Sequence, residues 1–225
     1  MVPEQWRDGI DGADGEIVCL TISAMRPSPE WLDTAWRLSR NADAVGGAIE
    51  PGDDLRLRDW AEYFCRYARD MLPFSARETV EFPGDNAVYR RDALAAARDV
   101  FRDGFWELEV NRALRDQGFR LWHSPELVVY QSRSAGFRAF FRQRLVHGRK
   151  YGRQRGARYS SARNLVGIPA AVVVPFVLLA RTYREVFSRR RLRLRLVAAT
   201  PVLLAYDVAW AVGEAAGHLD SLRAR

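Results

Sequence analysis

Glu107 is the residue best placed to do acid–base chemistry in this chain. It opens the run Glu107-Leu108-Glu109, directly after Gly104-Phe105-Trp106. The pattern from Glu107 to Gln117 predicts a helix that stops at Gly118, a residue suited to the position just past a helix end. A carboxylate at a helix start is favoured by the backbone dipole, so it stays ionised and can take a proton from a hydroxyl. Glu109 points roughly 200° away around the same helix, so only one of the two acids faces a given cleft. Glu107 shares its face with Asn111 and Leu114. Upstream, the turn Gly84-Asp85-Asn86 offers small polar groups that can hold a polar substrate. The bland alternative for Glu107 is a solvated acid in a first helical turn.

The elements that must position these groups are legible as strands alternating with helices. Glu16–Ile22 is a short apolar, β-rich run and predicts a buried strand. Ser28 and Pro29 predict a capped helix start, continued by Trp31 to Leu38. Ala44–Ile49 predicts a second strand, whose glycines permit close backbone approach. Leu55–Met71 predicts a long helix with Leu57, Trp60, Ala61, Phe64 and Ala68 on one stripe. Further on come a turn and strand at Phe82–Tyr89, a helix at Arg91–Ala97 and a strand at Leu127–Tyr130. This alternation argues for an α/β fold over residues 1–130. A basic amphipathic helix, Phe137 to Tyr151, falls in a linker over 131–163, and an apolar helical hairpin is expected over 164–217.

The hairpin consists of Leu165–Ala180 and Leu196–Val212, each about 25 Å long as a helix and slightly under a ~30 Å hydrocarbon core. Arg181 to Arg195, between them, carries seven arginines, and the stretch before the first segment is also basic. Positive loops tend to stay cytoplasmic, and a simple two-span hairpin cannot keep both regions inside. Either the first segment re-enters, or the hairpin lies in the interface, or the charge rule fails here; a shallow or re-entrant hairpin is the expectation. The net charge is +7, and all 35 basic residues except Lys150 are arginine. They crowd beside apolar segments from Arg133 onward, which fits a membrane surface better than nucleic acid. No helix-turn-helix, RNA-binding or zinc pattern is present. Cys19 and Cys65 belong to no paired motif and are expected as free, buried thiols in a reducing compartment. Met1–Glu16 is polar and acidic, without the apolar region of a signal peptide.

Over nearly its whole length the chain resembles family 2 (GT-A type) glycosyltransferases. The resemblance rests on Gly84-Asp85-Asn86, on Trp106-Glu107 followed by Gly118, and on His123-Ser124-Pro125 through Tyr130 with Gln131 beyond. It also rests on the basic run Gln143–Gly152 and on Val212–Gly217, which resembles the end of membrane-attached members. It implies a partial GT-A-like, Rossmann-like domain with Glu107 as the catalytic base. Trp106 replaces the first acid of the family's acidic pair. Asp85, Asn86 and Glu109, with Gln143 and Arg144 of the basic helix, are the implied substrate-binding residues. That basic helix reads equally as an interface helix beneath a membrane. The implied activity is inverting transfer of a sugar from a nucleotide sugar to a lipid-linked or cell-envelope glycan acceptor. The implied place is the cytoplasmic side of the cell membrane.

The pattern departs from the family at the donor side. Where the family carries Asp-x-Asp, this chain has Ile22-Ser23-Ala24, none of which is a useful ligand for the Mg²⁺ or Mn²⁺ that the family implies. The upstream nucleotide-binding strands are also missing, as if Met1 began inside the domain. Three readings follow: a truncated product, a degenerate non-catalytic binding or scaffold homologue, or a subunit whose partner chain supplies the donor half.

Overall fold

The computed structural model describes residues 2–53 and 55–224. In chain order its elements are α1 (Val2–Gly12), β1 (Ile17–Thr21), β2 (Met25–Pro27), α2 (Trp31–Ser39), β3 (Ala44–Pro51) and α3 (Leu57–Tyr67). Then come β4 (Arg77–Glu78), β5 (Asn86–Arg90), α4 (Arg91–Ala96), a 3₁₀ turn at Arg98–Phe101, α5 (Glu107–Asp116) and β6 (Leu121–Gln131). Four helices follow: α6 (Phe137–Arg158), α7 (Ser161–Ala170), α8 (Val174–Ser188) and α9 (Arg193–Arg223). The chain forms two units, Met1–Gly52 with Asp70–Ser132 and Asp53–Arg69 with Arg133–Arg225.

The first unit is built on a mixed six-stranded sheet in the order β1-β5-β3-β6-β2, with β4 also paired to β6. β3 and β6 run parallel, and the other pairs are antiparallel. β3 is buried from Ala44 through Glu50, as a strand enclosed on both faces should be. Its register against β6 shifts between Gly47 and Ala48, where the partners jump from Ser124 to Val128. Pro125 falls in that irregularity, where its missing N–H does no harm. Val18, Leu20, Tyr89, Leu94, Phe105 and Leu114 belong to one apolar core.

Two local expectations change here. The acidic N-terminal stretch, without an expected element, forms α1, because Ile10 is buried and Trp6 packs on the core. The helix expected to start at Ser28-Pro29 starts at Trp31 instead. Ser28 accepts a hydrogen bond from the Trp31 N–H through its carbonyl, at 3.1 Å, so its residues form a turn and its side chain caps nothing.

The second unit is helical, and it redraws the domain boundaries expected at 130 and 163. α3 belongs with the C-terminal helices, not with the sheet. Trp60, Tyr63, Phe64 and Tyr67 on α3 are buried and meet one another in tilted and edge-on ring contacts, and the Arg195 guanidinium of α9 sits 5.6 Å from the Trp60 ring centre. α6 is not a linker but lies along α9. A Cβ on Gly148 or Gly152 would collide with the carbonyls of Trp210 or Glu214, and one on Gly213 or Gly217 with those of Leu145 or Arg149. The matched order of these contacts makes α6 and α9 parallel, with small residues at every fourth place letting the backbones meet.

The expected hairpin is only partly continuous. Leu165–Ala180 is split between α7 and α8 by residues 171–173, with Pro169 near the end of one helix and Pro175 in the first turn of the next. Leu196–Val212 falls inside the 31-residue α9, which contains Pro201. Among the described residues, α9 alone is long and apolar enough to cross a membrane, and 44% of its most apolar stretch is buried.

Candidate active site

Glu107 stands where the helix dipole acts most strongly, as the first residue of α5 after the N-cap Trp106. Its helix is held by two buried hydrogen bonds from Asn111. The Asn111 amide donates to the Phe82 carbonyl at 3.1 Å, and its Oδ1 accepts from the Tyr89 hydroxyl at 2.8 Å. These bonds tie α5 to β5 and to the loop before it. Asn111 and Leu114, on the face shared with Glu107, are both fully buried, and Glu107 is half-buried at the open end of that face. Burial first, and then the Glu107 charge, hold the Tyr89 hydroxyl protonated well above its ordinary range, against the opposing bond from Asn111. Glu109 is half-buried.

The turn and the acid do come together. An added Cβ on Gly84 would lie 3.6 Å from the Glu107 Cβ and 2.8 Å from the Trp6 ring. Trp6 donates its indole N–H to the Thr21 carbonyl at the end of β1, at 3.1 Å, and meets Phe105 edge-on at 6.2 Å. Sequence reasoning missed Trp6, since its only signal was the four-residue spacing from Ile10. Gly84, Glu107 and Trp6 thus come together in the first unit, and Asp85, next in the chain, is only 5% exposed.

Asn86 is corrected from a sugar-binding to a structural residue. It is fully buried. Its amide donates to the Ala48 carbonyl at 2.8 Å and the Leu127 carbonyl at 2.9 Å, and its Oδ1 accepts from the Trp31 indole at 2.8 Å. Both donors are spent, so no N–H is left for a ligand. A Cβ at Gly47 would strike this amide and the Leu127 carbonyl, which is why β3 needs glycine there.

Gln143 and Arg144 lie on α6, in the second unit. The Arg144 guanidinium sits 4.4 Å from the centre of the Trp210 ring and 3.7 Å from Asp207 Oδ1. Both partners lie on α9, the helix packed along α6. His147 is half-buried, and burial, then the charges of Arg66, Arg144 and Lys150, push its pKa down. His123, one of the residues of the resemblance, lies 3.3 Å from an Asp70 carboxylate oxygen and stacks on Phe74.

The residues present do not fit a divalent cation. Ile22-Ser23-Ala24 follows β1 without a carboxylate, and among the described residues no group of three or more His, Cys, Asp or Glu side chains is placed to hold a metal. Cys19 and Cys65 are free, and burial pushes both thiols up to about 11. A cavity of about 660 Å³ opens at the start of β1, between Glu16, Trp36, Arg40 and Arg91, and includes none of the site residues.

No protein-family model and no curated protein matches this chain. What the structure defines is a mixed α/β protein with a six-stranded sheet and a long, apolar C-terminal helix.

Proposed function

We propose that the chain is a membrane-associated protein of the family 2 glycosyltransferase type, with Glu107 as general base. The observation that carries this reading is the approach of Gly84 to Glu107 at the start of α5. A half-buried acid on a helix N-terminus, facing a small-residue turn, suits removal of a proton from a bound hydroxyl. The Glu107 carboxylate takes the acceptor proton, and the acceptor oxygen bonds to the anomeric carbon with inversion. The bond from that carbon to the nucleotide diphosphate breaks, and the diphosphate leaves with the electron pair. Asp85 borders the acceptor, Glu109 faces away from that cleft around α5, and a partner chain contributes the nucleotide half. The acceptor is a lipid-linked or cell-envelope glycan, reached from the cytoplasmic face.

Membrane association is supported by α9. Leu194, Val197, Pro201, Val208, Val212 and Leu219 are exposed and fall in a stripe about 60° wide. Two acids inside the helix turn inward, Asp207 towards Arg144 and Glu214 to Arg155 at 2.9 Å, while Arg193, Arg195 and Arg223 are exposed at its ends. Ionisable groups facing the bundle and apolar groups facing out is the arrangement a bilayer demands.

The test is calorimetric titration of the detergent-solubilised chain with UDP and GDP, with and without Mn²⁺. Saturable binding supports the transfer reading. The absence of binding at millimolar nucleotide, both alone and with the partner chain, overturns it. The second reading, a non-catalytic scaffold, is favoured by Trp6 lying over Gly84, and it predicts that second result.

A further inference from the structure

α9 has the length and composition to cross a bilayer, but the helix beside it does not. α6 runs parallel to α9: Phe140 meets Tyr206 edge-on, Leu145 lies against Gly213, and Arg149 against Gly217. The exposed side chains of Arg142, Arg149 and Arg153 therefore stand at the same heights as the stretch of α9 from Tyr206 to Gly217. Arg149 is paired with Asp220 at 2.7 Å, which neutralises one of the three. If α9 crossed the bilayer, α6 would bring the other charges into the hydrocarbon, where arginine facing lipid is costly.

The other side of α9 has the opposite character. α7 and α8 run antiparallel to it. Asn164 Oδ1 is 3.0 Å from His218 Nδ1, and the hydroxyls of Tyr183 and Thr200 are 2.6 Å apart. That register sets the break between α7 and α8 about level with Ala211. No residue from Asn164 to Ala180 is charged. Val172, Val173, Phe176 and Val177 are exposed at this corner, Val172 by 72%. Val208 and Val212, at the same height, belong to the exposed stripe of α9. That stripe is centred roughly 180° around the helix from Trp210, Gly213, Glu214 and Gly217, whose backbones α6 meets. The helical unit thus has an apolar side, made by α7, α8 and the α9 stripe, and a cationic side, made by α6. Exposed arginines also edge the apolar side: Arg181, Arg184, Arg190 and Arg193 towards the turn from α8 to α9, and Arg223 at the far end.

We infer that the helical unit lies flat on one leaflet of an anionic bilayer, with the α7–α8 corner and the α9 stripe among the acyl chains and α6 outside them, so that α9 does not cross. A second copy of the chain is the poorer occupant of this face. It would set arginine edges against arginine edges, whereas anionic headgroups meet them with opposite charge. Lying flat also keeps both basic stretches, the one before Asn164 and the one between α8 and α9, on the same side of the membrane. The inference rests on the membrane association proposed above and on no part of the transfer chemistry.

The test adds the full chain, diluted out of detergent, to sealed vesicles of phosphatidylcholine, alone or mixed with phosphatidylglycerol. Flotation should show binding to the anionic vesicles at least about tenfold tighter than to the neutral ones. Arg193→Cys and Arg223→Cys, at opposite ends of α9, are then treated with a membrane-impermeant maleimide, with the two native thiols of the wild type as background. Both ends should label fully before the vesicles are lysed. Bimane attached to Val173→Cys or Val212→Cys should be quenched by nitroxides on the lipid acyl chains, and bimane on Arg153→Cys should not. Failure to float with either vesicle overturns this inference together with membrane association. Flotation in which a fraction of either end labels only after lysis overturns this inference alone, because the helix then crosses. Equal binding to the two vesicles, or no quenching at Val173 and Val212, also overturns it.

Discussion

The Trp6 ring lies over Gly84 so closely that a single methyl group at Gly84 would stand 2.8 Å from it. This contact ties the N-terminal helix to the candidate site. The backbone at Gly84 is not among the left-handed glycines, so the demand is steric. Gly84→Ala is expected to cost about 1–2 kcal/mol through overpacking. In a chain of this size, that lowers the melting temperature by about 2–8 °C. Trp6→Ala removes the obstruction, so the double variant should lose less than the sum of the two singles, measured by thermal denaturation.

Asn86→Asp should be more damaging than its size implies. The substitution turns the two-donor amide into a carboxylate oxygen facing the carbonyls of Ala48 and Leu127. Two lost donors and a buried charge make a loss of at least about 3 kcal/mol the expected outcome in urea unfolding. Asn86→Ala should also destabilise, by leaving the Trp31 indole and both carbonyls unmatched.

Glu107→Gln preserves shape and removes the base. In a preparation with measurable transfer, turnover should fall at least about 100-fold, while the melting temperature stays within about a degree. Full turnover in the glutamine variant would end the assignment.

His147 gives a stability dependence with a defined sign. Its folded pKa lies below its unfolded value, chiefly through burial and then through nearby positive charges. The unfolded chain therefore takes up a proton before the folded chain does. Its contribution is fully present above about pH 6.5 and is lost as the pH falls from there through the folded pKa. Urea midpoints of the wild type and of His147→Gln should converge as the pH falls from about 7 to 5, the variant losing less.

Both thiols should resist alkylation. With pKa values near 11, about one molecule in a thousand carries a thiolate at each site at pH 8. Labelling of Cys19 and Cys65 by iodoacetamide should be slow in the folded protein and fast in guanidinium, read by mass spectrometry.

The sheet was legible where apolar runs are dense and well punctuated. β1, β3 and α5 fall within about two residues of expectation, because Gly/Asp-rich stretches or Gly118 bound them. β6 begins at Leu121, six residues before the expected Leu127, because Pro125 made its first half resemble a loop. α1 was hidden by its acidic surface, with only Trp6 and Ile10 turned inward. At the site, the position of Glu107 could be read from a helix-start pattern, whereas the role of Asn86 could not. Its partners come from β3, β6 and α2, and no local pattern records a three-way closure. The pairing of Gly148 and Gly152 with Gly213 and Gly217 was present in the letters, but spacing alone does not say which helices meet.

The placement of α3 also sets the order of events as the chain is made. Its aromatic face leaves the ribosome early, yet its partner α9 begins only at Arg193. Throughout the synthesis of everything from Tyr67 to Arg193, Trp60, Phe64 and Tyr67 lack the surface that covers them. Such a stretch of exposed aromatics is what holding chaperones and early membrane targeting exist to shelter. The residues of α9 are therefore the ones that release the nascent α3 from that risk.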